Sequence, residues 1–572
     1  MKFIKATPKK DRLFTILLYS CALLLPAGIY AYYKSAMDAN LDRYDVMEVC
    51  GSVPAPVFSV PEGIYEQSFE LEMQAPDGYT IYYTTDGSIP SLRSMRYKNS
   101  ITVDPHFNPN REILSISTST WWQPPIGQQN HSVVIRARCF REGVGYGKVE
   151  NVIYSNSSIH QHQGFQVVHL LLAPDSLFSQ ERGIYVMGKK YFSKKTKVKY
   201  DSLPEWAVFP ANYTQRGKDW KRPATFKMID VSGKTTFEQD VRIGIAGRGS
   251  RVFSEKSLRI IPDSIMIFPF FDDLPYQEFR FLTLRNSGQG VAHTLFCDAM
   301  LQDFARKTIG KHMDTQAYIP AVVYINGNYW GIHNIREKLD EYYLAVKYGS
   351  DMNHIQVLEY TGSDYVLTYG DSSSLRSFME LIEYIRKNSL ADETAYQYVC
   401  AQMDIDNFID YVIVKTFFAD SDWGDNNMKF YRIDEQSELM RENDIEAGKW
   451  KWFLYDNDEV MRLPSSFNMF DHIRTYHAKE FLAPLFSGLL ENNEFKEKFL
   501  KRYEFVIRNC FTPEKMLQQI EDFEARYQPE IDRQVNRWRL PVFTQRWHWE
   551  VENLKAFTDE RPAVVMEQIK AL

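Results

Sequence analysis

Residues Leu13 to Tyr33 (LFTILLYSCALLLPAGIYAYY) form a run of 21 residues without a single charge. As a helix such a run is roughly 31 Å long, enough to cross the hydrocarbon core of a bilayer. Lys2, Lys5, Lys9, Lys10 and Arg12 precede it, whereas the stretch that follows (KSAMDANLDRYD) mixes Lys34 and Arg43 with three aspartates. Positive charge is retained on the cytoplasmic side of a membrane segment. The expected layout is therefore a basic cytoplasmic tail (1–12), a single transmembrane anchor (13–33) and a linker (34–54). The body of this single-pass membrane protein then lies outside the cytoplasm, in the periplasm or at the cell surface. A cleaved signal peptide, the competing reading, gives the body the same address.

The rest of the 572 residues exceeds what one core accommodates, so two or three domains are expected. With 44% apolar and 25% charged residues the composition is that of a globular body. A net charge of -7 and the lack of a long basic stripe give no support for a nucleic-acid partner. The six cysteines, at positions 21, 50, 139, 297, 400 and 510, contain no CxxC pair, which argues against a zinc site and against a disulfide scaffold.

From 55 to 155 short alternating strands are separated by turns. In TIYYTTDGSIP, Ile81 and Tyr83 alternate with Tyr82 and Thr84, and Asp86-Gly87 supplies the turn. In SVVIRARCF, Val133, Ile135 and Ala137 face one way while Val134, Arg136 and Arg138 face the other. This is the pattern of a small all-β sandwich. IYYTTDGSIPS and VVIRARCFREGVG resemble the β-sandwich at the C-terminus of chitobiases and β-hexosaminidases. That resemblance implies a spacer, with carbohydrate contact as the alternative role, and no catalytic residue.

Strand-like runs continue through 165–327, with a helix near 292–309, and after about Leu339 the sequence reads as mostly helical. An α+β, two-lobed body is expected over 165–510, followed by a helical extension (511–572) packed on it. Trp538, Trp547 and Trp549 in that extension read as packing residues.

The chemistry concentrates in two stretches. In IDNFIDYVIVKTFFADSDWGDNNMKFYRI (405–433), apolar residues at helical spacing lead into a polar loop and a short strand, a rigid mount for a site. The loop holds Asp422 and Asn427 at the D-x-x-x-x-N offset of a kinase catalytic loop, where the Asp accepts the substrate proton and the Asn holds metal. In WKWFLYDND an apolar strand delivers Asp456 and Asp458, and carboxylates at a strand end suit Mg²⁺. In GIAGRGSRVFSEKSLRI (244–260), Lys256 is the candidate phosphate-holding cation, with backbone N–H groups around Gly247 and Gly249 over the phosphates. No GxxxxGKS or GxGxxG motif occurs.

AGRGSRVFSEKSLRI, LTLRNSGQG, YINGNYWGIHNIREKLDEYYL, DWGDNNMKFYR and WKWFLYDND together resemble, in order, the signature stretches of the CotH (spore coat protein H) family of atypical kinases. The resemblance implies a protein-kinase-like fold and Mg²⁺-dependent (or Mn²⁺-dependent) transfer of the γ-phosphoryl group of ATP to serine or threonine. The implied acceptor is a serine-rich cell-envelope or surface protein. It makes Asp422 the catalytic acid/base, Asn427, Asp456 and Asp458 the metal residues, and Lys256, Gly249 and Glu337 the nucleotide-binding residues. The chain departs from the family at Gln289, where an acidic residue is common, and at Cys297-Asp298, where a basic residue is expected before the Asp. Two further readings compete: a catalytically degenerate kinase fold serving as a scaffold or glycan-associated surface protein, and a polysaccharide hydrolase using Asp422 and Asp456 as its carboxylate pair.

Overall fold

The computed structural model describes residues 53–195, 210–310, 313–361, 364–424, 426–474 and 482–572. The anchor expected at 13–33, with Cys21 and Cys50, lies outside the described residues. No described helix is long and apolar enough to cross a membrane. Cys139, Cys297, Cys400 and Cys510 are free thiols.

The β module is built around the strand Ser132–Arg141, flanked by Glu150–Ser155 on one side and Thr80–Thr84 on the other. The expected alternation is present, because Val133 and Ile135 lie within the sandwich. The opposite face does not meet water. Val134 joins the core of the large domain, and Arg136 is buried between the two units, donating to Asn151, the Gly87 carbonyl and Thr225 of the large domain. Beside it, Lys227 of the large domain pairs with Glu62 of the module at 2.8 Å and with Glu238 at 2.9 Å. The Asp86-Gly87 turn is part of the same contact. Gly87 has φ +88°, and a Cβ there would sit 2.0 Å from the Asn326 amide, so glycine is required for the close approach.

The large domain opens with a closed barrel of seven strands. In barrel order they are Gln166–Leu171, Arg222–Ile229, Thr235–Ile245, Leu258–Pro262, Leu282–Arg285, Asn328–Glu337 and Tyr318–Ile325. Neighbours are antiparallel except where the last strand closes on the first, in parallel. Alternate residues such as Val168, Phe226, Ile243, Leu258, Leu284 and Ile335 fill the interior. The residues between them, including Arg259, Thr283, Arg285 and Arg336, fall on the outer face.

The second lobe is less helical than the sequence implies. It carries a five-stranded sheet in the order Asp314–Thr315, Lys451–Leu454, Met428–Ile433, Ile355–Tyr360 and Tyr365–Tyr369. Strands buried on both faces carry no alternation, so a run such as Ile355-Gln356-Val357-Leu358 has no period to separate it from a buried helix. The helix Ile405–Phe417 packs on this sheet, with Phe408 against Trp452 at 4.8 Å, and every residue of it but Asp406 is buried.

Two long helices, Pro513–Trp538 and Thr544–Lys570, bridge the lobes. Gln534 accepts from the Ile332 N–H and the Trp538 indole donates to the Trp330 carbonyl, both in the barrel. Arg561 donates to the carbonyls of Thr416 and Phe417 in the other lobe.

Because Lys227 neutralises two carboxylates at the module boundary, Lys227→Met leaves both without a cation. We expect a loss of about 3 kcal/mol in urea unfolding. Calorimetry of the parent protein is expected to show module and barrel melting in one transition, which separate melting of the two would contradict.

Candidate active site

Asp404 caps the N-terminus of the Ile405–Phe417 helix by accepting from Asn407 N–H, and the chain leaves the other end through Ala419 at φ +48°. Lys415 and Asp420, both fully buried, form a 2.7 Å ion pair that fixes this exit. Asp420 accepts from the Asp422 N–H, and the Trp423 indole donates to Tyr411 on the helix at 2.9 Å. The loop is therefore held to its helix at both shoulders. Within it the Asn427 amide donates to Asp422 Oδ2 at 2.8 Å, and the Asn426 amide to Asp422 Oδ1 at 3.3 Å. Asn427 sits at φ +59°, a left-handed conformation that Asn tolerates better than most residues.

Asp456 follows the strand Lys451–Leu454, also in the left-handed region at φ +54°. It projects against the barrel, where Arg285 at the end of the strand Leu282–Arg285 donates to it at 2.5 Å and to Asp458 at 3.2 Å. The same guanidinium lies 3.4 Å from Asp298, which is also paired with Arg336 at 2.9 Å and accepts from the Asn457 N–H at 2.7 Å. Asp458 accepts from the backbone N–H of Gln289 at 2.8 Å. A Cβ on Gly288 would stand 2.0 Å from the Asp458 carboxylate, so this turn is open to the aspartate only as glycine.

These contacts explain the charge states. Burial raises the Asp422 pKa, and the neighbouring Asp420 and Asp456 add to the rise. Asp458 is held well above the carboxylate range by burial and by Asp456. Asp298 is moved the other way: burial would raise it, but Arg336 and Arg285 outweigh burial and hold it low. Burial likewise works against the charged form of Arg285, and the three aspartates outweigh it. Glu459, next in the chain, is pushed up to about 7 by burial, against the pull of Arg462 and with Asp422 and Asp420 adding to the rise.

Of the residues singled out in the sequence, Asp422, Asn427, Asp456 and Asp458 come together. Lys256 does not join them. Its side chain turns inward, donating to the carbonyls of Arg251 at 2.9 Å and Phe253 at 2.6 Å, with its ammonium 4.1 Å from the Tyr213 ring. Burial lowers its pKa well below the usual lysine range. Gly249 begins a short 3-10 turn where a Cβ would meet nothing within 4 Å, so no close approach requires glycine there. Glu337 is buried at the end of its strand, accepting from Tyr276 at 2.6 Å and from the Ala317 N–H at 2.8 Å, away from the aspartates.

Sequence reasoning passed over Arg285. The available signal was an arginine closing an apolar strand and opening a glycine turn in LTLRNSGQG. The departure at Gln289 carries less weight than the sequence implied, since Asp458 uses its backbone N–H. The Asp298 departure is met by Arg285 and Arg336.

Among the described residues no three His, Cys, Asp or Glu side chains form a ready-made metal cage. The oxygen donors Asp422, Asn427 and Asp456 do fit Mg²⁺, which takes few protein ligands and completes its shell with water and phosphate. Asp422 and Asp458 are both raised by burial, with nearby carboxylates adding to the rise.

A raised pKa in the folded state is a stability that fades as pH rises. For Glu459 it is complete below the ordinary value of 4.5 and lost through about 7. Glu459→Gln is therefore expected to flatten the decline of the urea midpoint between those values and to be the more stable form above neutrality. An unchanged pH profile would contradict this assignment.

Compared with known protein families, residues 243–565 match the CotH kinase protein family and residues 60–107 the chitobiase/β-hexosaminidase C-terminal domain. No curated protein matches the chain. The first match takes in Arg285, both aspartate stretches and nearly all of the two bridging helices. It spans more than half of the 572 residues, and the chain therefore belongs to the CotH kinase family, with a chitobiase/β-hexosaminidase C-terminal domain ahead of its kinase domain.

Proposed function

We propose that this protein transfers the γ-phosphoryl group of ATP to a serine or threonine hydroxyl of a cell-envelope or surface protein. The 13–33 segment would hold its body outside the cytoplasm. The observation that carries this reading is the Asp422–Asn427 pair lying close enough to Asp456 to feel its charge, with Asp456 in turn held by Arg285 at the lobe boundary. A polysaccharide hydrolase would need only a carboxylate pair, and the amide and guanidinium would be idle.

In this reading Asp422 accepts the proton of the acceptor hydroxyl as its oxygen bonds to the γ-phosphorus and the bond to the ADP oxygen breaks. Its raised pKa suits a group that must take up a proton. Asn427 and Asp456, with Asp458, would hold Mg²⁺, which when bound neutralises charge developing on the phosphate oxygens. Arg285 takes the phosphate-holding role first expected of Lys256. Asp298, itself anchored by Arg336 and the Asn457 N–H, keeps the Arg285 guanidinium oriented. The scaffold reading is favoured by one observation, that Arg285 is already engaged by Asp456, so nucleotide binding must compete for it.

With γ-labelled ATP, Mg²⁺ and a serine-rich acceptor, Asp422→Asn and Asp456→Asn are each expected to lower kcat by about a thousandfold. An absence of nucleotide binding by the parent protein would sink the kinase reading in favour of the scaffold. Arg285→Lys is expected to raise the KM for ATP, whereas Lys256→Met should lower the melting temperature and leave that KM in place. The reverse pattern would return the phosphate role to Lys256.

A further inference from the structure

A cavity of about 530 Å³ lies beside the aspartate cluster, within the range of about 300–1,000 Å³ typical of ligand sites. Its walls are the chain that returns from the aspartates (Val460 to Ser465), the turn around Gly290 and His293, and the C-terminal helix Thr544–Lys570. Asp458 is part of its lining, so whatever enters lies next to a carboxylate that shares Arg285. The wall is also tied to the Asp422 loop: the Ser421 hydroxyl donates to the Glu459 carbonyl, and the Met461 N–H to the Phe418 carbonyl at 2.7 Å.

The charges around this cavity are satisfied within the protein. Asp458 is held by Arg285, Arg462 by Glu459 at 2.5 Å, and Glu550 by both His293 at 2.8 Å and Arg546 at 2.5 Å. Among the described residues no cation lining the cavity lacks a carboxylate partner, which argues against a nucleotide. What the cavity offers is a surface of Trp549, Leu554 and Phe557 beside the Asn553 amide. Trp549 is 53% exposed, although Trp538 and Trp547 in the same helical extension are buried. One face of its ring carries the Arg546 guanidinium at 4.2 Å, and such stacking orients an indole without filling the space in front of it.

We infer that this cavity is the docking subsite for the acceptor polypeptide. It seats an aromatic or bulky apolar side chain of an uncharged segment against Trp549, Leu554 and Phe557, a few residues from the hydroxyl presented to Asp422. The inference rests on the phosphoryl-transfer reading and names the acceptor chemistry of that same site. A polypeptide is favoured because Asp458 of the cluster lines the cavity, and because aromatic walls beside an amide recognise a side chain on a hydrogen-bonding backbone.

The test uses fluorescent peptides with one serine and a phenylalanine scanned through the flanking positions, titrated onto the full-length protein by anisotropy beside an all-alanine control. At one or two positions phenylalanine is expected to tighten binding about tenfold, the value of one well-seated aromatic anchor. Trp549→Ala should remove that gain without shifting the melting curve, and Ala556→Trp, which fills the cavity from an exposed helix position, should remove it as well. Equal affinity for all peptides, or a preference that survives both variants, overturns the subsite. The same peptides are then offered with Mg²⁺ and γ-labelled ATP. Transfer without any aromatic preference overturns the subsite and leaves the kinase reading standing, whereas an aromatic preference in binding without transfer overturns the kinase reading and with it the acceptor role, leaving the cavity as a peptide-binding site.

Discussion

At the lobe boundary one guanidinium faces three carboxylates. Arg285 belongs to the barrel, Asp456 and Asp458 to the loop leaving the second lobe's sheet, and Asp298 to the helix between them. With Arg336 on Asp298, two positive charges face three carboxylates, of which Asp298 and Asp458 are buried and Asp456 is part-exposed. Placing like charges together costs stability unless something binds there. Burial raises the pKa values of Asp422, Asp458 and Glu459, and the neighbouring aspartates add to each rise. The family assignment and the chemistry meet at this cluster, because a divalent ion with a polyphosphate brings both positive charge and a competitor for Arg285.

What the sequence made legible was whatever local pattern controls. The helix over 405–417 has apolar residues at helical spacing that burial explains. The aspartates appear at the end of an apolar strand, where a carboxylate is conspicuous, and Asp422 and Asn427 share a loop whose spacing is itself the signal. The turn at Asp86-Gly87 was equally plain.

The unread parts depend on contacts between residues distant in the chain. Lys256 and Arg285 both sit beside glycine turns at strand ends in the barrel, and nothing local says which side chain turns inward. The structure decides it, because the carbonyls of Arg251 and Phe253 capture Lys256 while Asp456 and Asp458 draw Arg285 outward. Glu337 looked placed for a pocket because it leaves a strand near the lobe boundary, yet Tyr276 and the Ala317 N–H bury it. The outer face of the module's central strand reads as a solvent face because Arg136 and Arg138 lie on it. Only the docked barrel shows that Arg136 is a buried fastening. Trp549 failed as a packing residue for a similar reason: helical spacing places it beside Trp547 in sequence but on the side that opens into the cavity.

The module grips the barrel at a second place. Thr118 donates to the Ser254 carbonyl, the Ser119 and Ser254 hydroxyls meet at 2.9 Å, and Trp121 packs on Phe253. Phe253 is also one of the two carbonyls that hold the Lys256 ammonium. Between this clasp and the Arg136–Lys227 contact there is no free joint between the module and the barrel. The cleft therefore keeps one heading relative to the module, as an instrument head does on a fixed bracket.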